Sequence, residues 1–280
     1  MNNMKVDSDV TGLASEMVTR RKETGLRRAI EDSWLITGRN LIRLKRNPVV
    51  IVAIAIFPMV FLLGFWIIGQ KLFAAQGIDY LQYLLPIVNL QALYFAGLGS
   101  AIMLAKDIES GMMQRCRAMP ISRVAVVVGL VAAYTARGLL ATVVLMAIAF
   151  TLGFRFSGGL IAALGYLVLV LTFTATCIMG YSVLALKLRS PTLVDAVGII
   201  PYTPLVLLSN GFSPTENFPS WLQPIVRYQP VSVTCDALRA LVAGRESLSL
   251  FGASFLWLSV LLILLGVWAI GLYRRLGSAT

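Results

Sequence analysis

Six apolar runs, near residues 49–69, 83–105, 124–152, 160–186, 192–210 and 250–272, decide what this chain can fold into. Each has about the 20 residues that carry an α-helix across a hydrocarbon core. Lipid offers the backbone no hydrogen bonds, so a spanning chain must close its own ladder within helices or within a barrel. Alternating segments of about ten residues do not recur, which argues against the barrel. The expected fold is an all-α polytopic membrane protein with six transmembrane helices. Composition agrees, since 58% of the 280 residues are hydrophobic, 13% are charged and mean hydropathy is +0.81, well beyond the mix of a soluble domain.

Basic residues set the expected orientation, because cytoplasmic loops and tails concentrate Lys and Arg. Ten of the 24 precede the first run, and 106–123, 187–191 and the C-terminal end add to the same side. The alternate side holds Lys71, Arg155, Arg227, Arg239 and Arg245, while Arg137 falls inside the third run. Both termini are therefore expected in the cytoplasm, with the chain a multi-pass protein of the plasma membrane. The net charge of +11 sits beside membrane spans, where anionic lipid is the nearer partner, so no nucleic acid is expected. Residues 1–47 lack the apolar core and cleavage site of a signal peptide, and the first span is expected to be retained as the insertion signal.

Several chemistries lose their parts. The chain has no histidine, which removes Ser-His catalysis, HExxH metal sites and most proton relays. Cys116, Cys177 and Cys235 fall in a cytoplasmic loop, the membrane and an outer segment, so no disulfide framework is expected. No catalytic residue, metal site or cofactor of the chain's own is expected. An ion-coupled secondary transporter, the alternative reading, needs carboxylates or equivalent ligands at the midplane, and the span interiors offer almost none. An intramembrane enzyme lacks paired acids and metal-ligand spacing.

Residues 1–22 read as a disordered cytoplasmic tail. Over 23–47, Leu26, Ile30, Trp34, Leu41 and Leu44 share roughly a quarter of a helix circumference opposite Arg28, Arg39, Arg43 and Arg46. This spacing predicts an amphipathic interfacial helix, in preference to a plain basic tail, before the transmembrane domain over 48–276. The second span contains Pro86, Asn89 and Gln91 and should face other helices for part of its length. Pro201 and Pro204 should kink the fifth. From Ser209 to Gly244, four prolines punctuate short apolar pieces, predicting short helices that dip into the outer interface, one over 233–242 with Asp236 and Arg239 as an i,i+3 pair. Irregular backbone at that depth must be buried in protein or line a wet cavity, which makes the segment a candidate gate.

The least membrane-like stretch between two spans is Asp107 to Arg123, "DIESGMMQRCRAMPISR". Reversing direction needs only about five residues. Here Asp107 and Glu109 suit the start of a short helix, Arg115 and Arg117 its later half, and Pro120 its end. Such a helix on the ends of two membrane helices can dock in a groove of a soluble partner. These residues resemble the acidic-x-x-Gly…Arg…Met-Pro-x-Ser-Arg cytoplasmic loop of type-2 ABC exporter permeases, with the daunorubicin/doxorubicin-resistance (DrrB-like) group the nearest likeness. "LGFRF" at 152–156 and "FPSWLQPIVRYQPVSVTCDALRAL" at 218–241 resemble the same group, and the likeness spans the chain beyond its tail.

The resemblance implies a membrane-spanning permease subunit of an ATP-driven exporter of an amphipathic drug, antibiotic or lipid. It gives Asp107, Glu109, Gly111, Arg115, Arg117 and Pro120 the role of a coupling helix seated on the ATPase. It also implies re-entrant outer helices, with Phe218, Trp221, Gln229 and Pro230 at the outer gate, and a route near Asn89, Gln91, Tyr94, Tyr202 and Thr203. The implied complex holds two ATPase subunits, which carry ATP and Mg, and a second permease copy or a sister permease, in a bacterial membrane. One consequence is independent of the resemblance: no G-x-x-x-x-G-K-[ST] loop occurs, so the chain has no phosphate-cradling motif of its own. Read from the residues alone, Glu109 equally suits a helix cap, Arg137 can mark a path or snorkel to an interface, and Trp221 and Tyr228 suit interfacial anchors.

Overall fold

A computed structural model of the chain describes residues 38, 56, 58–69, 79–111, 123–245 and 248–275. The interfacial helix expected over 23–47, apart from Gly38, and the tail over 1–22 lie outside the described residues, as do Arg115, Arg117 and Pro120. The described chain is helical: α1 (Pro58–Gly69), α2 (Tyr80–Glu109), α3 (Arg123–Thr151), α4 (Gly159–Leu188), α5 (Pro191–Leu207), α6 (Gln223–Tyr228), α7 (Pro230–Val242) and α8 (Leu248–Arg275). A 3-10 turn at Thr215–Asn217 precedes α6.

Four of these helices are long and apolar enough to cross a membrane. The fifth expected run ends sooner than predicted, with the 17-residue α5 stopping at Leu207 where Ser209, Asn210 and Gly211 turn the chain. The second starts earlier and ends later than its apolar run. The Asp79 carboxylate accepts from the Leu81 and Gln82 amides and opens α2, and the helix then continues through Asp107 to Glu109. Asp107 and Glu109 therefore lie in the last turns of α2 instead of opening a new helix. Nothing in the sequence breaks the helix before Gly111, which stands at φ 70°.

Helix α2 is the axis of the bundle. Of its most apolar 18-residue stretch, 78% is buried, and α3, α4, α5 and α7 all pack on it. A helix that is apolar all round belongs inside a bundle. By contrast α8, with 11% of the equivalent window buried, packs on α4 and α7 and leaves Leu256, Ile263, Leu264 and Val267 exposed. The burial difference puts the first at the centre of the bundle and the second at its edge.

Polar side chains fix how the central helices meet. The Asn89 amide donates to the Tyr166 hydroxyl at 2.8 Å and accepts from the Thr142 hydroxyl at 2.9 Å. One fully buried residue thereby joins α2, α3 and α4. Gly138 sits one turn from Thr142 and faces Leu93 and Thr174, where a Cβ would come within 3.2 Å of Leu93. Small residues let membrane helices approach closely, so the Asn89 and Gly138 contacts set one antiparallel register between α2 and α3.

Turns are built as locally. Gly153, at φ 100°, ends α3 in a Schellman motif: the Phe154 amide donates to Ala149 O and the Gly153 amide to Phe150 O. Only glycine takes that backbone at little cost. Phe154 then turns inward and is fully buried, and the Ser157 amide donates to Val242 O at 3.0 Å, tying this hairpin to the end of α7.

Replacing Asn89 by Leu should destabilise the fold by about 1 kcal/mol, because it strands two buried hydroxyls. Thermal unfolding in mild detergent measures the loss. The pair Asn89→Leu with Tyr166→Phe should lose less than the sum of its singles, and strict additivity would contradict the three-helix junction.

Candidate functional site: a latch at one end of the bundle and a charged tip at the other

At the Tyr80 end, one cation gathers three segments. Arg239 projects from α7, and its side chain is 15% exposed. Its Nε donates to Tyr83 O at 3.0 Å, one Nη to Asn210 O at 3.1 Å and the other to Gly211 O at 2.6 Å. The guanidinium also lies 3.6 Å from the centre of the Tyr83 ring and 3.4 Å from Asp236. A planar fork of donors suits this better than a lysine point charge. The Tyr83 hydroxyl donates to Asn210 O at 2.9 Å, and the Asn210 amide to Asp236 at 2.6 Å. The first turn of α2, the turn after α5 and the middle of α7 thus share one polar knot.

The expected Asp236–Arg239 pair is present, but at 3.4 Å it is the longest hydrogen bond that Arg239 makes. The fork to three backbone carbonyls is what the sequence reading missed. Its trace in the sequence is the spacing Ser232, Asp236, Arg239, one polar face on the largely apolar α7. Ser232 takes part too, accepting from the Asn210 backbone amide. Burial pushes the Asp236 carboxyl above its ordinary range, against the Arg239 and Asn210 donors that pull it down. The neighbouring Cys235 is fully enclosed, and burial raises its thiol to about 11, so it is inert at neutral pH.

A cavity of 640 Å³ opens beside this knot, lined by Tyr83, Asn210, Glu216, Arg227, Tyr228, Asp236 and Arg239 among others. The residues expected at the gate border the same segment. Gln229 caps α7 and donates to Leu208 O and to Ser232, and Pro230 is the first residue of that helix. Phe218 is half-buried, with its carbonyl accepting from Gln223 at 2.9 Å. Trp221 is 72% exposed, in keeping with an interfacial anchor.

Midway along the bundle, three of the five residues expected near a route come together. Gln91 donates to the Tyr202 hydroxyl, and Tyr94 meets Tyr202, Phe173 and Tyr181 edge-on with ring centres 5.4 to 6.5 Å apart. This cluster joins α2, α4 and α5, and the Gln91 carbonyl oxygen is buried in it without a partner among the described residues. Asn89 lies apart, enclosed in its three-helix junction. Thr203 is exposed and bonds its own helix at Ile199 O.

At the far end, Asp107 is 7% exposed while Glu109 and Ser110 are open. Acidic groups in the last turn of a helix oppose its dipole, so local helix stability does not account for them. Asp195, at the same end, is exposed and forms no ion pair with Lys187 or Arg189 among the described residues. Arg189 joins α4 to α5 in left-handed backbone, at φ 56°.

Arg239→Gln should destabilise the chain by about 2 kcal/mol, the scale of losing hydrogen bonds to a charged group. It should also expose the segment from Ser209 to Gly244 to protease cleavage. Limited proteolysis beside a melting curve checks both, and unchanged cleavage would show that the fork does not hold this segment.

Comparison with known proteins places this geometry. Residues 31–242 match the ABC-2 type transporter family model. The daunorubicin resistance ABC transporter permease protein DrrB1 of Streptomyces coeruleorubidus is 29% identical over 206 residues, covering 74% of this chain and 73% of its own. The probable doxorubicin resistance ABC transporter permease protein DrrC of Mycobacterium tuberculosis is 26% identical over 248 residues, covering 88% and 89%. The putative transport permease ycf38 of Cyanophora paradoxa is 26% identical over 242 residues, covering 82% of each. With three quarters of its length matched by one family model and a fold of apolar helices around a buried axis, the chain belongs to the ABC-2 type transporter family.

Proposed function

We propose that this chain is the membrane permease subunit of an ATP-driven exporter that moves an amphipathic drug, antibiotic or lipid out of the cell. The relatives' names, daunorubicin and doxorubicin resistance permeases, support the direction and the substrate class. The ATPase is a separate chain, present twice with its ATP and Mg, and the permease works with a second copy or a sister permease. All six runs span, both termini are cytoplasmic, and the Glu109 end docks on the ATPase through Asp107, Glu109, Gly111, Arg115, Arg117 and Pro120.

One observation carries the mechanism: a single helix, α2, runs from Tyr83 under the Arg239 fork to the acidic tip at Asp107 and Glu109. A push on the tip by nucleotide-driven closure of the ATPases reaches the latch through a rod of 30 residues. Movement of α2 away from α7 then withdraws the Tyr83 carbonyl from Arg239 and frees the outer segment with Phe218, Trp221, Gln229 and Pro230. The equilibrium shifts because the docked ATPase binds one arrangement better than the other. In this scheme Tyr202, Thr203 and the exposed face of α5 border the route, and Asn89 and Gln91 hold α2 against its neighbours behind it.

Purification of the tagged chain in mild detergent, with quantitative mass spectrometry of what accompanies it, tests the reading. The expected result is a Walker-motif ATPase in about equal amount, lost from Glu109→Lys. A folded wild-type chain that brings down no ATPase would overturn the proposal.

A further inference from the structure

Helix α2 is enclosed almost everywhere, yet towards its Glu109 end one stripe stays open. Gly99, Ile102, Met103 and Lys106 are all only partly covered or exposed, while Ser100, Ala101, Leu104 and Ala105 between them are buried. The open residues recur at i, i+3, i+4 and i+7 and so form one face. Its floor is apolar and each end carries a cation. Lys106 is exposed at one end. At the other, the Arg137 guanidinium from α3 lies flat over Gly99, where an added Cβ would come within 2.9 Å and 3.0 Å of the two Nη atoms.

The register between the helices shows which way Arg137 reaches. Asn89 faces Thr142 and Leu93 faces Gly138, so the backbone of Arg137 stands beside Tyr94. Its guanidinium nevertheless reaches Gly99, about one and a half turns nearer the Glu109 end. Gly99 itself lies roughly 28 Å along α2 from Tyr80 at about 1.5 Å per residue. With Tyr80 at one interface, that is the far edge of a core about 30 Å thick. In a membrane with Tyr80 at one interface, the guanidinium would stand at headgroup level.

It finds no counter-ion there among the described residues. Among the described residues Arg137 makes no hydrogen bond or ion pair, and its Nε is buried without a partner. Lys106 also forms no ion pair among the described residues, although Glu109 follows one turn later. Asp107 is turned into the bundle.

We propose that this stripe is a binding site for an anionic phospholipid, with the phosphate held between Arg137 and Lys106 over Ile102 and Met103. Two cations at headgroup depth over an apolar floor match a net negative amphiphile. The leaflet that supplies it is the inner one in the orientation proposed above; the binding itself does not depend on that orientation or on the export reading.

The test is native mass spectrometry of the delipidated full chain, with whatever ATPase accompanies it, titrated with phosphatidylglycerol, phosphatidylcholine or glycerol phosphate. Wild type should prefer phosphatidylglycerol, and glycerol phosphate should not displace it. Arg137→Gln and Lys106→Gln should each weaken phosphatidylglycerol binding about five-fold. Gly99→Leu, which keeps every charge but fills the notch under the guanidinium, should weaken it too and stands in should Arg137→Gln not fold. Binding by Arg137→Gln, or by Gly99→Leu in its place, equal to wild type would overturn the site, and complete displacement by glycerol phosphate would overturn a lipid as its source. ATPase recovery in the same samples reads the export proposal separately.

Discussion

The enclosure of α2 is the constraint on which the other helices depend. A 30-residue helix carrying Asn89 and Gln91 cannot sit alone in lipid without leaving strong hydrogen-bonding groups unmet. Thr142 and Tyr166 meet the first, and Tyr202 meets part of the second. Each partner comes from a different helix, so satisfying one helix's polar groups recruits α3, α4 and α5 around it. Dispersion between close-packed helices adds to this: Gly97 lies against the backbone of Cys177, and Gly138 and Gly198 receive side chains from neighbouring helices. At Gly198 a Cβ would meet Leu98, and the carbonyl accepts from the Tyr181 hydroxyl at 3.0 Å.

The same rule shapes the segment after α5, with the roles reversed. There the backbone is irregular and buried, and its carbonyls, free of any helix ladder, need donors. Arg239 supplies them from a neighbouring helix, closing Asn210 O and Gly211 O along with Tyr83 O. A latch made of charged donors on backbone acceptors is strong while closed and survives in water when opened, since the carbonyls and the guanidinium are then solvated. That reversibility suits an element meant to open, whereas the Asn89 junction, buried on all sides, suits one meant to stay.

Sequence patterning revealed the helices because apolar runs and length carry that signal directly, and the four longest spans fall within a few residues of their runs. The ends were less legible. Helix α2 overran its apolar run because Asp79 caps one end and because charged residues after Lys106 are compatible with helix. Asp236 and Arg239 were readable as neighbours on one helix turn, but the carbonyls that Arg239 serves lie 28 to 156 positions away in the chain, and no local pattern announces a contact at that separation. Arg137 was ambiguous for a related reason. Whether a cation in a span lines a path or climbs to an interface depends on the register with its neighbour, which Leu93 and Gly138 fix only in three dimensions.

The Asn89 junction also bears on how the protein is made. Synthesis delivers α2 to the membrane before α3 and α4 exist, so a helix whose polar groups are satisfied only by later helices must first cross on its own hydropathy. Its mean of 1.6, the lowest among the four long spans, is the mark of that compromise. The Asn89 junction can close only once Thr142 and Tyr166, on the two helices that follow, stand beside it.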